Sequence, residues 1–449
     1  MASKELDAGV AEPRRAPEPR RKLSPGPGLA ADEVAAHQLA RIHEATIQIV
    51  AERGYKDLRI RDVVRLAQVS TRAFYEHFGS KEDCFLQTYD LICRRASRRI
   101  ISAQAGEHEW RERPRLAFEE FVRALEGEPA SARLALIEAY TVGEAALDRA
   151  WRAERVFEGM LAESFTRPPS GAVVSPMVVE GIVAGVATVS RSCLLTDRLI
   201  ELQSSRDELV DWALCYPDKA TAELAQLDRR SAWPDALLDS PLDADFDAEG
   251  ESWPSTGDRA LILAAVTELS LSGGYASLTA PRIRSLASVS RRKFDALFDS
   301  VEDCYLAVLD QHTGEALAKA TRAKATAGSW PGGVYRAIAA LCEHVAGDAF
   351  LAKVCLTNDF PPGPSGGLAR QRLVAAITQL LGGSAPQAVG PVGLAGEASG
   401  GAVWALFHHH IVRNWVLRRQ ISATLSYLAL APLVGAPDAV AAIQAEQTR

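Results

Sequence analysis

The sequence predicts an all-α fold built from two copies of one helical unit. The stretch Gly54–Asp90 returns at Gly274–Asp310, displaced by 220 residues, with 16 identities in 37 aligned positions. The chain is rich in Ala, Leu, Arg and Glu, which favour helix, and poor in the alternating β-branched runs that strands need. Its apolar residues recur at helical spacings of three and four. An internal repeat on this scale governs how the rest of the chain is read.

The elements follow in order. Residues 1–30 are Pro-, Arg- and Glu-rich with little apolar content and are expected to be disordered. Their basic residues (Arg14, Arg15, Arg20, Arg21, Lys22) belong either to a solvated tail or to an arm lying along a polyanion. Residues 31–90 carry a first helix with Ile42, Ala45, Thr46, Ile49 and Val50 on one face, ended by Gly54. A second helix spans Ile60–Ala67, with Val63, Leu66 and Ala67 inward, and a turn follows at Gln68–Val69. Ser70 is placed to cap a third helix whose Phe74 and Phe78 face the core. Ser80 then caps a fourth, with Asp83 at the capping-box position. This is a helix-turn-helix domain.

Residues 91–227 read as a first helical domain, broken at Pro129, Arg167–Gly171 and Pro217. Residues 228–257 read as an acidic linker: they carry Pro234, Pro241 and Pro254, and Asp235–Asp258 holds eight acids and no base. A second, divergent helix-turn-helix domain occupies 258–310. A second helical domain occupies 311–449, with breaks at Pro361–Gly367, Gly382–Gly396 and Pro432–Pro437. Trp110/Trp330, Ala132/Ala352, Leu136/Leu356 and Tyr140/Phe360 keep the 220-residue offset, and Glu180 matches Glu397 after a small deletion. The duplicated unit is therefore expected to be about 220 residues long.

The net charge of -7 excludes a globally basic nucleic-acid binder, although residues 1–100 carry four more Lys and Arg than Asp and Glu. Seven cysteines (84, 93, 193, 215, 304, 342, 355) form no CxxC, and with no apolar leader at the N-terminus they read as reduced thiols in a cytoplasmic protein. No apolar run approaches the ~20 residues of a membrane span. No GxSxG, phosphate-loop or HExxH pattern is present, so no enzymatic activity and no cofactor are expected. His408, His409 and His410 are adjacent, and successive helical residues point about 100° apart, so no metal site is expected there.

The chemistry concentrates in the third helix. A helix-turn-helix lays this helix in the DNA major groove, with its N-terminal residues on base edges and the flanking turns on phosphates. Thr71, Arg72, Tyr75 and His77 fall away from Phe74 and Phe78. Arg72 can give a bidentate contact to guanine, and a hydroxyl or ammonium can bond phosphate. Lys81 adds charge in the first turn of the fourth helix. The run LRIRDVVRLAQVSTRAFYEHFGSKEDCF resembles the DNA-binding domain of TetR-family transcription regulators. The resemblance implies that Thr71 and Arg72 face bases or phosphates and that Tyr75, His77 and Lys81 anchor phosphate. The family usually has Gly at the position of Gln68 and Thr at that of Arg59, where this chain places a charge beside the DNA backbone.

In the second copy Asp295, Leu297 and Val301 replace Tyr75, His77 and Lys81, while Arg291, Arg292 and Lys293 open the recognition helix with a basic run. The resemblance implies two TetR-like units, each an N-terminal three-helix DNA-binding domain followed by a helical ligand-binding and dimerisation domain. One chain can then form an intrachain pseudo-dimer, with a further homodimer left open. Candidate bundle helices are Met177–Leu195 with Asp207–Cys215 and Ala398–Leu417 with Ile421–Leu430, where Gly181, Gly185, Gly400 and Gly401 would permit close approach. The expected partners are a double-stranded DNA operator and a small-molecule effector that releases a repressor. Pointers to the effector site are Trp110, Tyr140, Trp151 and Phe157, and Trp330, Phe360, Trp404 and Phe407. The alternative is a ligand-binding or dimerisation protein whose second helix-turn-helix is degenerate, so that only the first contacts DNA.

Overall fold

The computed structural model describes residues 31–106, 108–165, 174–230, 257–357, 361, 364–382, 393–413 and 421–448. The basic arm, most of the acidic linker, the expected break at 167–171 and Phe360 lie outside them. Among the described residues there is no β-strand. The helices are α1 (Ala31–Arg53), α2 (Ile60–Ala67), α3 (Thr71–His77), α4 (Lys81–Ala103), α5 (Glu112–Gly127), α6 (Pro129–Arg133), α7 (Ala139–Val142), α8 (Glu144–Ser164), α9 (Pro176–Leu195), α10 (Leu199–Ser204) and α11 (Arg206–Leu214). They continue as α12 (Leu224–Arg230), α13 (Asp258–Gly273), α14 (Ala280–Leu286), α15 (Arg291–Leu297), α16 (Val301–Ala325), α17 (Trp330–Gly347), α18 (Ala349–Thr357), α19 (Pro364–Gly382), α20 (Leu394–Arg413), α21 (Ser422–Val434) and α22 (Ala436–Gln447). The chain divides into two bodies, Met1–Tyr89 and Asp90–Arg449.

In the first body, Ile42, Val50, Leu58, Phe74, Phe78 and Phe85 are almost wholly buried and form the core that α1, α2, α3 and the start of α4 share. Two polar contacts lie inside it: His43 Nδ1 is 2.8 Å from Thr88 Oγ1, and Thr46 Oγ1 bonds the Ile42 carbonyl. Ser70 Oγ accepts from Ala73 N at 3.0 Å, fixing the start of α3. Ser80 Oγ accepts from Asp83 N at 3.0 Å, while Asp83 Oδ2 accepts from Gly79 N at 2.9 Å, one residue before the N-cap that a capping box would use. Gln68 takes the left-handed conformation (φ 52°) where a glycine would be unstrained. Its N–H still bonds the Arg65 carbonyl at 3.3 Å, so the turn closes without glycine.

In the second body, helical elements of the 274–310 segment recur at the sequence offset. The short turns Tyr55–Asp57 and Tyr275–Ser277 match, as do α3 and α15, and Ser288 (φ 53°) repeats the strained turn of Gln68. Ser290 and Ser300 repeat both caps. Further along this body, α9 lies against α20. A Cβ on Gly185 would come within 2.6 Å of the Ala398 carbonyl, one on Gly181 within 2.6 Å of Leu428, and one on Gly401 within 2.6 Å of Thr188. Gly400 instead faces Thr378 on α19. Trp212 Nε1, on α11, donates to Ser399 Oγ at 2.8 Å, and Arg198 grips the Glu397 carboxylate with two nitrogens at 3.1 and 3.2 Å.

Two expectations are corrected, and three expected breaks take narrower bounds. Asp228 is not linker: it is buried in α12, where it accepts from Ala423 N (2.9 Å), Thr424 N (3.1 Å) and Thr424 Oγ1 (2.5 Å) and so caps α21 from 195 residues away. The break expected at Pro432–Pro437 comes at Gly435, between α21 and α22, while Pro432 itself stays inside α21. The Leu428 carbonyl, which the absent proline N–H would have bonded, is taken by Tyr216 Oη at 2.9 Å, and the helix ends at Gly435 (φ 86°). Gly366, Gly367 and Gly396, expected in breaks, are helical, because α19 begins at Pro364 and α20 at Leu394. Pro176–Leu195 is long and apolar enough to cross a membrane by length and composition. Just over half of its most apolar window is buried by protein, with α20 as its main packing partner.

Candidate nucleic-acid interface

The first-copy site begins with a seven-residue helix too short to be stable alone; its cap and its two phenylalanines hold it. Thr71, Arg72 and Tyr75 stand at i, i+1 and i+4 and share one exposed arc. Tyr75 is 56% exposed, its ring set edge-on against Phe74 with centroids 5.5 Å apart, so its hydroxyl is carried outward on a packed base. Arg72 Nε pairs with Glu76 Oε1 at 3.0 Å, both side chains being more than half exposed. Such a pair is worth only about 0.3–0.5 kcal/mol and is readily exchanged for a base or phosphate.

The remaining residues are placed differently. His77 lies about 200° around the helix from Tyr75 and is half-buried beside Phe78. Lys81 is held back: its Nζ sits 4.6 Å from the Tyr55 ring centroid and 3.4 Å from the Leu58 carbonyl. Burial, and then Glu82, raise the Tyr55 phenol, so it remains a neutral platform for this ammonium. Arg59 is exposed at the N-cap of α2 and makes no side-chain cap there. Sequence reasoning did not single out Arg61 and Arg65, both exposed on α2 around Asp62 at 4.0 and 3.1 Å. Their i,i+4 spacing opposite Val63 and Ala67 was the signal available.

In the second copy the basic run splits. Arg291 Nε pairs with Asp295 Oδ2 at 3.3 Å, so the aspartate at the tyrosine position takes up a cation of the same face. Lys293 occupies the place of buried Ala73 and turns its Nζ to Asp258 Oδ2, 2.8 Å away on α13. Arg292 is exposed and makes no ion pair or side-chain hydrogen bond among the described residues. Leu286 and Leu297 are 42% and 40% exposed, where the first copy has a partly buried Leu66 and a histidine.

A narrow apolar cavity of about 50 Å³ lies between α16, α17, α18, α19 and α20, lined by Ile338, Cys342, Leu373, Trp404 and Phe407, with Thr313 as its one hydroxyl. Of the aromatic pointers, Trp404 and Phe407 thus reach a cavity, while Trp110 and Trp330 pack against the core. His408 is buried and stacks on Trp404; the side chains of His409 and His410 lie outside the described residues. No metal-ligating cluster occurs among the described residues.

Residues 42–88 match the family model of bacterial regulatory proteins, tetR family, which identifies the first helix-turn-helix as a TetR-type DNA-binding domain. No curated protein sequence matches the chain. Among solved structures, the fatty acid degradation regulator FadR from Bacillus halodurans is similar with 16% identity and a TM-score of 0.37, over 39% of this chain and 94% of that one. A transcriptional regulator FadR from Bacillus subtilis in complex with stearoyl-CoA has 14% identity and a TM-score of 0.35, over 39% and 96%. A transcriptional regulator from Aquifex aeolicus VF5 has 20% identity and a TM-score of 0.30, over 39% and 96%.

Proposed function

We propose that this chain is a cytoplasmic, sequence-specific double-stranded DNA-binding transcription regulator: a repressor that a small molecule releases from its operator. The observation that carries the reading is the exposed Thr71, Arg72 and Tyr75 arc on a capped recognition helix, within the residues that match the tetR family model. Thr71 and Arg72 read bases, Tyr75 and Lys81 bind phosphate, and Arg59, Arg61 and Arg65 add charge along the backbone. His77 contributes from the flank of the helix.

The chain is read as two TetR-like units forming a pseudo-dimer through α9, α11, α20 and α21. Support comes from the recurring elements and from the glycine-mediated contacts of α9 with α20 and α21. Two different recognition helices call for an asymmetric operator. The effector is read as an apolar molecule that widens the α16–α20 cavity. It acts by favouring the conformation in which the two readers no longer match their half-sites. A second reading, in which only the first copy touches DNA, is favoured by the Arg291–Asp295 and Lys293–Asp258 pairs.

Selection of bound duplexes from a random pool, followed by fluorescence anisotropy on the winner, tests the role. Salt-sensitive, sequence-selective binding that Tyr75→Ala weakens supports it. Absence of any selected sequence, with the protein folded, rejects it.

A further inference from the structure

The cavity between α16 and α20 has walls suited to an uncharged molecule. Among the described residues no charged or histidine side chain lines it. Its one thiol, Cys342, is 1% exposed, and burial pushes that group up, so it stays protonated at neutral pH. An ion entering such a space would lose its hydration and gain no partner. The volume of about 50 Å³ is about a third of that of a ~150 Å³ apolar cavity that takes benzene. A ligand that enters with little widening is therefore smaller than a benzene ring.

One hydroxyl interrupts the apolar wall. Threonine hydroxyls inside helices commonly bond the carbonyl four residues back. In this body Thr321 does so to Leu317 at 2.8 Å, and Thr378 to Val374 at 2.9 Å. Thr313, half-buried on α16, makes no hydrogen bond among the described residues. The space also belongs to the second copy's own sequence. At the 220-residue offset, Ile338 and Leu341 stand where the first copy has Phe118 and Phe121, whose ring centroids lie 6.4 Å apart. Thr313 stands where the first copy has Cys93. Two smaller side chains leave room, and a hydroxyl enters the same wall.

We infer that this cavity binds a small neutral molecule with an apolar body and a single oxygen, a short-chain ketone or alcohol, and that Thr313 donates a hydrogen bond to that oxygen. Apolar contact supplies the affinity, and the one hydroxyl supplies the orientation and the selection. The inference rests on the effector reading of the same cavity and names the ligand class.

Ligand-observed nuclear magnetic resonance on the full chain, without DNA, tests it. The probes are 2-butanone and 2-methyl-1-butene, a hydrocarbon of the same shape. Saturable binding of 2-butanone is expected. Thr313→Val keeps the side-chain shape and removes the hydroxyl. It should weaken 2-butanone roughly threefold to tenfold and leave 2-methyl-1-butene unchanged or tighter. Ile338→Phe, which fills the space with the ring the first copy carries, should abolish binding of both. The thermal midpoint reports whether each variant folds. Thr313→Ala and Leu341→Phe serve if the first pair does not. No saturable binding of 2-butanone to the wild type, or binding that survives a filled cavity, overturns the inference. So does a threonine variant that leaves 2-butanone undiminished or weakens both probes equally. Binding as expected, with no effect of 2-butanone on operator affinity, would reject the effector reading and leave this ligand class standing.

Discussion

At Ser70 and at Ser290 the same hydroxyl caps the same short helix, accepting from Ala73 N at 3.0 Å and from Lys293 N at 3.4 Å. Five residues on, one copy carries outward-facing Tyr75 and the other Asp295, already paired with Arg291. Phe74 and Phe294 are both buried, as are Phe78 and Phe298. The turn before the helix is left-handed in both, at Gln68 and Ser288. The scaffold is thus specified by caps and core, and the outer arc is free to diverge without unfolding it. A surface can lose its charge pattern while the skeleton that presents it persists, so a shared skeleton alone does not establish a shared partner.

The strongest way to break this comparison is to remove the common core. Phe74→Ala and Phe294→Ala should each destabilise their own helix-turn-helix by about 3–5 kcal/mol. Hydrogen exchange should locate the loss in the altered copy. DNA binding should vanish with Phe74→Ala and survive in part with Phe294→Ala.

Next come the readers. Arg72→Ala should cost about 1–3 kcal/mol of operator affinity and relax specificity at one position. Arg292→Ala should cost less, below about 1 kcal/mol, because its helix brings fewer neighbouring cations. Anisotropy titrations at fixed salt measure both. Equal losses would mean that the copies are equivalent readers.

Asp295→Tyr sharpens the contrast from the other side. It releases Arg291 and restores a hydroxyl, so affinity should rise and the salt dependence should steepen by about one unit of slope. An unchanged slope would mean that the second helix does not reach DNA.

The smallest expected effect is in the turn. Gln68→Gly and Ser288→Gly each relieve a left-handed residue, for a net gain of about 0.5–1 kcal/mol in chemical denaturation. A loss at either site would show that the side chain itself supports the turn.

Much of this was legible in the sequence because it is local. Ser70 and Ser80 stand immediately before the helices they announce, and the spacing of Phe74 and Phe78 identifies the buried side. The bounds expected for α2 are those observed. What was not legible depends on partners far along the chain. Asp228 looks like the start of an acidic linker until the α21 amides are brought to it. The exact end of α21 within Pro432–Pro437 was not legible either, because Tyr216 supplies the donor for the orphaned Leu428 carbonyl that lets Pro432 stay inside the helix. At the site, the exposure of Arg72 and Tyr75 followed from helical geometry. The retreat of Lys81 onto Tyr55 and of Lys293 onto Asp258 did not, because each is set by an ion pair or ring outside its own helix.

The central claim is that one chain supplies both readers. Light scattering on the purified complex with a selected operator measures this directly. The account predicts a single 48.4 kDa chain on an asymmetric duplex, with affinity reduced by both Tyr75→Ala and Arg292→Ala. Two chains on a palindrome, weakened by Tyr75→Ala alone, would contradict it.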